Sequence, residues 1–161
     1  MSDDAPRFAV DAMLGRLARW LRVLGYDTAY DAGMDDPQLV QLARDEDRLL
    51  LTRDRHLLRE LKPARAHEVR QDHPLRQLKE LVAALRLAPP PALFTRCMLD
   101  NAPLEPVERA GVLPLLPEGV REHPGPVWRC PMCQRLYWDG SHVRRMRRAL
   151  EAALPGWLAP D

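Results

Sequence analysis

The sequence predicts an α/β fold in which a mostly parallel sheet lies between two layers of helices. Leu49-Leu50-Leu51 is apolar on both faces of a strand, and such a strand is buried only when helices cover both sides of its sheet. Short apolar runs also alternate with segments of helical periodicity through the first half of the chain, as in βα repeats. Neither a G-x-G-x-x-G motif nor a P-loop is present, so a glycine-rich phosphate site is not predicted.

The predicted elements follow one another in the order β-α-β-α-β-α-β-α. The strands are expected at residues 8–11, 26–30, 49–51 and 66–69, and the helices at 13–24, 37–43, 55–61 and 75–87. Gly25 is placed to end the first helix. Asp36 is the predicted N-cap of the second helix, with Pro37 at its first position, and Asp72 with Pro74 opens the fourth.

Polar side chains follow two of the predicted strands at the point where each strand ends. The leucine strand ends at Thr52 and Asp54, and the first strand ends at Asp11. In an open α/β sheet, ligands bind beyond the carboxyl ends of the strands. Crowded carboxylates repel unless a cation joins them, and oxygen ligands suit Mg²⁺ or Mn²⁺. We therefore predict a divalent-metal site at this edge.

Three arginines of the first helix, Arg16, Arg19 and Arg22, recur on one face close to Asp11. Such a stripe is either a solvated outer face or a surface that binds phosphates. We expect Arg16 and Arg19 to bind phosphates of a polyanion, and Arg53, beside Thr52 and Asp54, to join them.

Charge is distributed unevenly although the formal net charge is only +1. Residues 1–54 carry 7 basic and 11 acidic side chains, whereas residues 55–161 carry 17 basic and 12 acidic ones. This asymmetry suits an enzyme that holds metal ions and binds a polyanion, although ordinary solvated faces would give it too. No stretch approaches the roughly 20 apolar residues that span a bilayer, and no signal peptide is evident. We expect a cytoplasmic protein without a membrane partner.

Pro89-Pro90-Pro91 interrupts the helical pattern and favours an extended spacer. We therefore predict two domains, an α/β domain at residues 7–88 and a small β domain at residues 92–148 that includes a basic C-terminal segment.

The cysteines of the second domain have the spacing of a metal site. Cys130 and Cys133 form a C-x-x-C knuckle, and Cys97 would begin a second one in which Asp100 stands at the fourth position. Three thiolates and one carboxylate can bind zinc, and His123 and His142 are alternative fourth ligands. The competing interpretation is that this small β domain binds no metal and is held together by its apolar residues.

Aromatic and basic residues follow the knuckle. They are Trp138, His142, Arg144 and Arg145, within a run that continues to Arg148. Aromatic rings beside arginines are typical of nucleic-acid binding, through base stacking and phosphate neutralisation.

Several blocks of the chain, in order, closely resemble the Mut-seven carboxy-terminal ribonuclease family, over about residues 7–147. The matching blocks are Asp11-Ala12-Met13-Leu14-Gly15-Arg16-Leu17-Ala18-Arg19-Trp20-Leu21-Arg22, Leu24-Gly25-Tyr26-Asp27-Thr28, Leu51-Thr52-Arg53-Asp54, Phe94-Thr95-Arg96-Cys97 and Tyr137-Trp138-Asp139-Gly140-Ser141-His142. The resemblance implies a PIN-like domain fused to a zinc ribbon. The sequence departs from the family pattern at Asp100, where the family has cysteine.

The resemblance also implies a metal-dependent ribonuclease with an acidic cluster at the carboxyl edge of the sheet. By position, its acids are Asp11, Asp35, Asp36 and Asp54, with Thr52 beside them and Asp72 as a further candidate. Two alternatives to an endoribonuclease remain open. One is a non-catalytic module that binds RNA or the ribosome, and the other is a protein-docking module; a protein inhibitor is a further candidate partner.

Overall fold

A computed structural model describes residues 5–158. Its first part is built on a four-stranded parallel sheet with the order β2-β1-β3-β4. The strands are β1 (Phe8–Val10), β2 (Thr28–Tyr30), β3 (Leu49–Thr52) and β4 (Ala66–Glu68). The four helices that alternate with them are α1 (Gly15–Val23), α2 (Asp36–Asp45), α3 (Arg55–Leu61) and α4 (Pro74–Leu85). The α/β architecture predicted from the sequence is confirmed.

The leucine strand β3 lies inside this sheet, between β1 and β4. Leu50 and Leu51 are fully buried because helices cover both faces. On one side α1 packs on α4 and on β2, and on the other α2 packs on β1 and β3. The apolar cluster on the α2 side consists of Ala9, Leu39, Val40, Ala43, Leu50 and Leu57. Two-sided burial therefore explains the unbroken apolar run.

Two boundaries in the first repeat differ from those predicted. Strand β1 ends at Val10, and the chain then makes one 3₁₀ turn over Ala12–Leu14 before α1 begins at Gly15. Helix α1 ends before Gly25, whose φ of +86° is a conformation that glycine adopts without steric cost.

The later part of the chain contains a three-stranded antiparallel sheet with the order β5-β6-β7. Its strands are β5 (Glu105–Val107), β6 (Val127–Arg129) and β7 (Leu136–Trp138), and the helices here are α5 (Arg109–Val112), α6 (Glu118–Arg121) and α7 (Ser141–Ala153). Val112, Leu116 and Val127 form the buried apolar cluster of this part. The sequence predicted its small β domain but not the long final helix α7.

Contacts between residues divide the chain into two compact units, with the division after Asn101. The first unit therefore includes the segment that follows Pro89–Pro91. The domain limits of 7–88 and 92–148 remain a prediction. Among residues 5–158, no helix is long and apolar enough to cross a membrane.

Candidate functional site

Asp11 and Thr52 meet at the carboxyl edge of the parallel sheet. Val10 pairs with Leu51 in the β1–β3 register, so the residues that follow them are also neighbours. The Thr52 hydroxyl donates a 2.6 Å hydrogen bond to Oδ2 of Asp11. Thr52 is fully buried and Asp11 is only 6% exposed. The contact fixes the Asp11 carboxylate at the floor of the site.

Asp54 is held on the other side of the same hydroxyl. Its backbone N–H donates to Oγ1 of Thr52 at 2.9 Å. Its side chain caps α3, because Oδ1 accepts hydrogen bonds from the backbone N–H groups of His56 and Leu57 at 2.8 and 3.2 Å. One hydroxyl therefore connects two of the predicted acids.

The predicted N-cap of α2 was wrong by one residue. The cap is Asp35, whose carboxylate accepts from the backbone N–H of Gln38 at 2.9 Å, while the Gln38 side chain accepts from the backbone N–H of Asp35. Asp36 lies in the first turn, where its carboxylate is not used as the cap. A capping box needs Glu or Gln three residues after the cap, and Gln38 meets that requirement for Asp35.

The carboxylate of Asp36 lies within electrostatic range of the other acids. Partial burial and the negative charges of Asp11, Asp54 and Asp35 raise the pKa of Asp36, against a smaller opposing effect of His56. The structure thus brings Asp11, Asp36 and Asp54 into one electrostatic neighbourhood. Repulsion of this kind is relieved when a cation binds among the carboxylates.

Asp72 is not the N-cap of α4. It is exposed in the segment between β4 and α4. Helix α4 begins at Pro74 with His73 at the N-cap position, and no side-chain hydrogen bond caps it. The prediction that Asp72 opens the helix was therefore wrong, because the chain enters α4 through His73 in extended conformation.

Tyr30 holds the turn that connects Asp11 to α1, a role that sequence analysis did not anticipate. Its hydroxyl donates to the backbone carbonyl of Ala12 at 2.9 Å. A Cβ atom at Gly15 would lie 2.5 Å from the Tyr30 hydroxyl oxygen, so only glycine fits there without movement. Val10 pairs with Tyr30 in the β1–β2 register, which explains why this ring reaches the turn.

The arginine stripe of α1 divides into two parts. Arg16 and Arg19 are exposed, and so is Arg53 at the end of β3. Arg22 is 4% exposed and donates to the backbone carbonyls of Thr28, Met98 and Leu99 at 3.0, 3.1 and 2.8 Å. Arg22 is thus a buried structural residue rather than part of a solvated stripe.

Helix α7 carries the basic run of the second unit. Its exposed basic side chains are His142, Arg144, Arg145 and Arg148. Trp138, on β7, is half-buried and packs against the apolar cluster of this unit. A Cβ atom at Gly140 would lie 2.8 Å from the indole nitrogen of Trp138, so the ring lies close under the start of α7.

Two tight turns carry the cysteines and Asp100. In the first, the backbone N–H of Asn101 donates to the carbonyl of Cys97 at 3.0 Å, and Asn101 has a φ of +72°. In the second, the backbone N–H of Gln134 donates to the carbonyl of Cys130 at 3.0 Å, and Gln134 has a φ of +63°. The turn that contains Asp100 thus has the same backbone form as the C-x-x-C turn.

The ligand atoms of Cys97, Asp100, Cys130 and Cys133 all lie within 4.8 Å of one another. This group of three cysteines and one aspartate could hold a metal ion and is compatible with zinc. The fourth member is Asp100, and neither His123 nor His142 belongs to it. In the part of the chain that the structure describes, no second group is this compact, so the acids of the sheet edge are spaced more widely.

One further acid lies at the edge of the parallel sheet. Glu68 ends β4, opposite Thr52 in the β3–β4 register, and its Oε1 accepts a 2.7 Å hydrogen bond from Nε of Arg55. The rule that identified Asp11, a carboxylate at the end of a strand, also applies to Glu68. Glu68 was not predicted as a site residue because the sequence pattern of β4 is weak.

Comparison with protein-family models identifies the family of this chain. No curated protein and no solved structure shows significant similarity to the chain. A family model described as the Mut7-C RNAse domain matches residues 6–150, which is nearly the whole chain. The family is by its description a ribonuclease domain family, as the sequence resemblance implied. The chain therefore belongs to the Mut7-C RNAse domain family.

Proposed function

We propose that this protein is a divalent-metal-dependent ribonuclease that hydrolyses phosphodiester bonds within RNA chains. The observation that carries the proposal is the hydrogen bond that Thr52 donates to Asp11. At the same sheet edge, partial burial and the negative charges of Asp11 and Asp54 raise the pKa of Asp36. Membership of a ribonuclease domain family supplies the substrate class.

The donor set fits a hard divalent cation. Asp11, Asp36 and Asp54 offer only carboxylate oxygens, which Mg²⁺ and Mn²⁺ prefer. Asp54 caps α3 through Oδ1 alone, which leaves Oδ2 as a ligand atom. A bound cation would activate water and offset the charge of the scissile phosphate. Thr52 would keep the Asp11 carboxylate oriented toward that cation, while Asp35 holds the start of α2 and thereby Asp36.

The exposed cations supply the proposed contacts to RNA. Arg16, Arg19 and Arg53 in the first unit would bind phosphates, since guanidinium groups form paired hydrogen bonds with phosphate oxygens. In the second unit the proposed RNA-binding residues are Trp138, His142, Arg144 and Arg145. We also propose that the group of Cys97, Asp100, Cys130 and Cys133 binds zinc.

The test is cleavage of a mixed RNA pool in the presence of Mg²⁺ or Mn²⁺. Wild-type protein should generate new internal ends, and both Asp11→Asn and Asp54→Asn should abolish cleavage while the folded fraction is unchanged. The amide introduced by Asp54→Asn still offers an oxygen to cap α3, so loss of activity would not reflect loss of the cap. Asp45→Asn, an exposed acid at the end of α2, is the matched control. Full activity in both site variants would refute the assignment.

A non-catalytic module that binds RNA or the ribosome is the second candidate. The observation that favours it is the exposed basic face of α7, which needs no acid to bind RNA. Metal-independent RNA binding without cleavage in the same assay would select this candidate. We also propose that the protein is located in the cytoplasm and that a protein inhibitor is one of its partners.

A further inference from the structure

Arg55 lies directly after Asp54, at the first position of α3, and its side chain is 78% exposed. Its Nε donates to Glu68, and among the described residues Glu68 is its one hydrogen-bonding partner. The terminal nitrogens of this guanidinium are therefore available. A planar guanidinium with free N–H groups is well suited to bind a phosphate.

The Glu68 carboxylate determines where this guanidinium lies. Glu68 is opposite Thr52 in the β3–β4 register, and Asp11 follows the residue that pairs with Leu51 in the β1–β3 register. Side chains at the same register position point to the same face of a sheet. Asp11, Thr52 and Glu68 therefore form a row across the edge, and the salt bridge keeps Arg55 at the β4 end of that row.

We propose that Arg55 binds a phosphate of the RNA substrate beside the acidic site, and that Glu68 occupies its guanidinium until RNA replaces the carboxylate. This inference rests on the proposed function for the identity of the substrate. An exposed ion pair contributes little to stability, so the exchange of a carboxylate for a phosphate is energetically inexpensive. The two residues should therefore affect RNA binding in opposite directions.

A second ion pair, in which both residues lie on α3, provides a matched control. Arg59 and Glu60 lie one turn further along α3, are 71% and 56% exposed at their side chains, and are 3.7 Å apart. They repeat the residue types of the proposed pair without its position in the row. Substitutions in the control pair change the net charge of the protein by the same amount.

The experiment measures binding of a fluorescein-labelled single-stranded RNA by anisotropy, with Ca²⁺ in place of Mg²⁺ and a gel to verify that the RNA stays intact. Arg55→Ala should weaken binding about tenfold and lower the slope of log affinity against log salt by about 0.7. Glu68→Gln should strengthen binding roughly threefold, and this gain should disappear in the double variant with Arg55→Ala. Arg59→Ala and Glu60→Gln should each have a smaller effect.

Four results would overturn the inference. Equal affinities of Arg55→Ala and Arg59→Ala would show that position in the row is irrelevant. Weaker binding by Glu68→Gln, or loss of thermal stability in both Arg55→Ala and Glu68→Gln, would assign the pair a structural role. Wild-type protein that binds no RNA would overturn both proposals, whereas wild-type protein that binds RNA here but does not cleave it in the Mg²⁺ or Mn²⁺ assay contradicts the ribonuclease assignment alone.

Discussion

The Thr52 hydroxyl donates to the Asp11 carboxylate and accepts from the backbone N–H of Asp54, at 2.6 and 2.9 Å. One uncharged side chain thus occupies the position between two acids. Because Thr52 is fully buried, this arrangement is fixed by the pairing of β1 with β3.

Thr52→Val is the sharpest test of that arrangement. The substitution keeps the shape of the side chain and removes both hydrogen bonds, so we expect a loss of about 1–3 kcal/mol in the free energy of unfolding. The rate of RNA cleavage should fall by more than the decrease in the folded fraction accounts for, because Asp11 is no longer oriented. Thr52→Ser keeps the hydroxyl and should retain most of the activity. Urea unfolding with initial cleavage rates measures both, and equal rates in the Val and Ser variants would contradict the proposed role.

Asp35 and Asp36 are adjacent, but substitutions at the two positions should have different consequences. Asp35→Ala removes the capping box of α2 and should lower the free energy of unfolding by about 1 kcal/mol. Asp36→Asn removes a carboxylate whose pKa is raised by partial burial and by neighbouring acids, so it should not destabilise the fold but should impair cleavage. Thermal melts and cleavage assays on the two variants separate the roles. A stable, inactive Asp35→Ala protein would reverse the assignment.

The exposed arginines of α1 should contribute to the salt dependence of RNA binding. Replacing Arg16 and Arg19 together with alanine should weaken binding and reduce the slope of log affinity against log salt by about 1.4, or about 0.7 for each lost phosphate contact. Arg44, exposed at the end of α2, serves as a charge control. An unchanged slope in the double variant would show that Arg16 and Arg19 lie on a solvated face and do not bind phosphates.

Asp27 should make stability depend on acid pH. Burial alone would raise the pKa of Asp27, but hydrogen bonds from Arg48 and Asn101 outweigh it and lower the pKa from 3.8 to about 2. A lowered folded-state pKa stabilises the fold above pH 3.8, and that stabilisation is lost as pH falls toward 2. Its size is about 1–2 kcal/mol, because solvent screens part of the interaction of this half-buried carboxylate.

Urea unfolding between neutral pH and about pH 2 measures this contribution. Asp27→Asn should be less stable than wild type at neutral pH, and the difference should shrink as the pH approaches 2. Asp45→Asn, at an exposed position, should leave the wild-type pH dependence unchanged. A difference between wild type and Asp27→Asn that is constant with pH would contradict the ionic origin of the effect.

The cysteine and aspartate group should bind zinc less tightly than four cysteines would. A carboxylate is a weaker partner for zinc than a thiolate, and metal binding adds to the free energy of folding. Asp100→Cys should therefore raise both zinc affinity and the melting temperature of the C-terminal region. Elemental analysis before and after a mild chelator is the measurement. Stoichiometric zinc that survives chelation of the wild type would contradict a weak site, and zinc absent before chelation would favour a metal-free ribbon.

The sequence predicted the sheet and the strand-end acids because burial on both faces leaves a simple pattern. Three leucines followed by Thr52 and Asp54 identify a central strand and its functional end. The roles of Asp35 and Asp36 could not be separated in this way, since both precede a proline. The sequence signal that separates them is Gln38, which lies three residues after Asp35 and completes a capping box with it, whereas Leu39 occupies the corresponding position for Asp36.

Other features depend on contacts between distant segments. Arg22 follows the same spacing as Arg16 and Arg19, yet it is buried because backbone carbonyls from two other segments accept from its guanidinium. The pair of Arg55 and Glu68 likewise depends on the register of β3 with β4. Periodicity within one element contains no information about such partners.

The strand order has a consequence for synthesis of the protein. Strand β1 is translated first but lies between β2 and β3, and Asp11 meets a hydroxyl that is 41 residues further along the chain. Parallel pairing over such separations folds slowly compared with local hairpins. A nascent chain that ends before Leu49 carries Asp11 and Asp36 but lacks the Thr52 hydroxyl that orients Asp11. The acidic site can therefore form only after β3 has emerged from the ribosome.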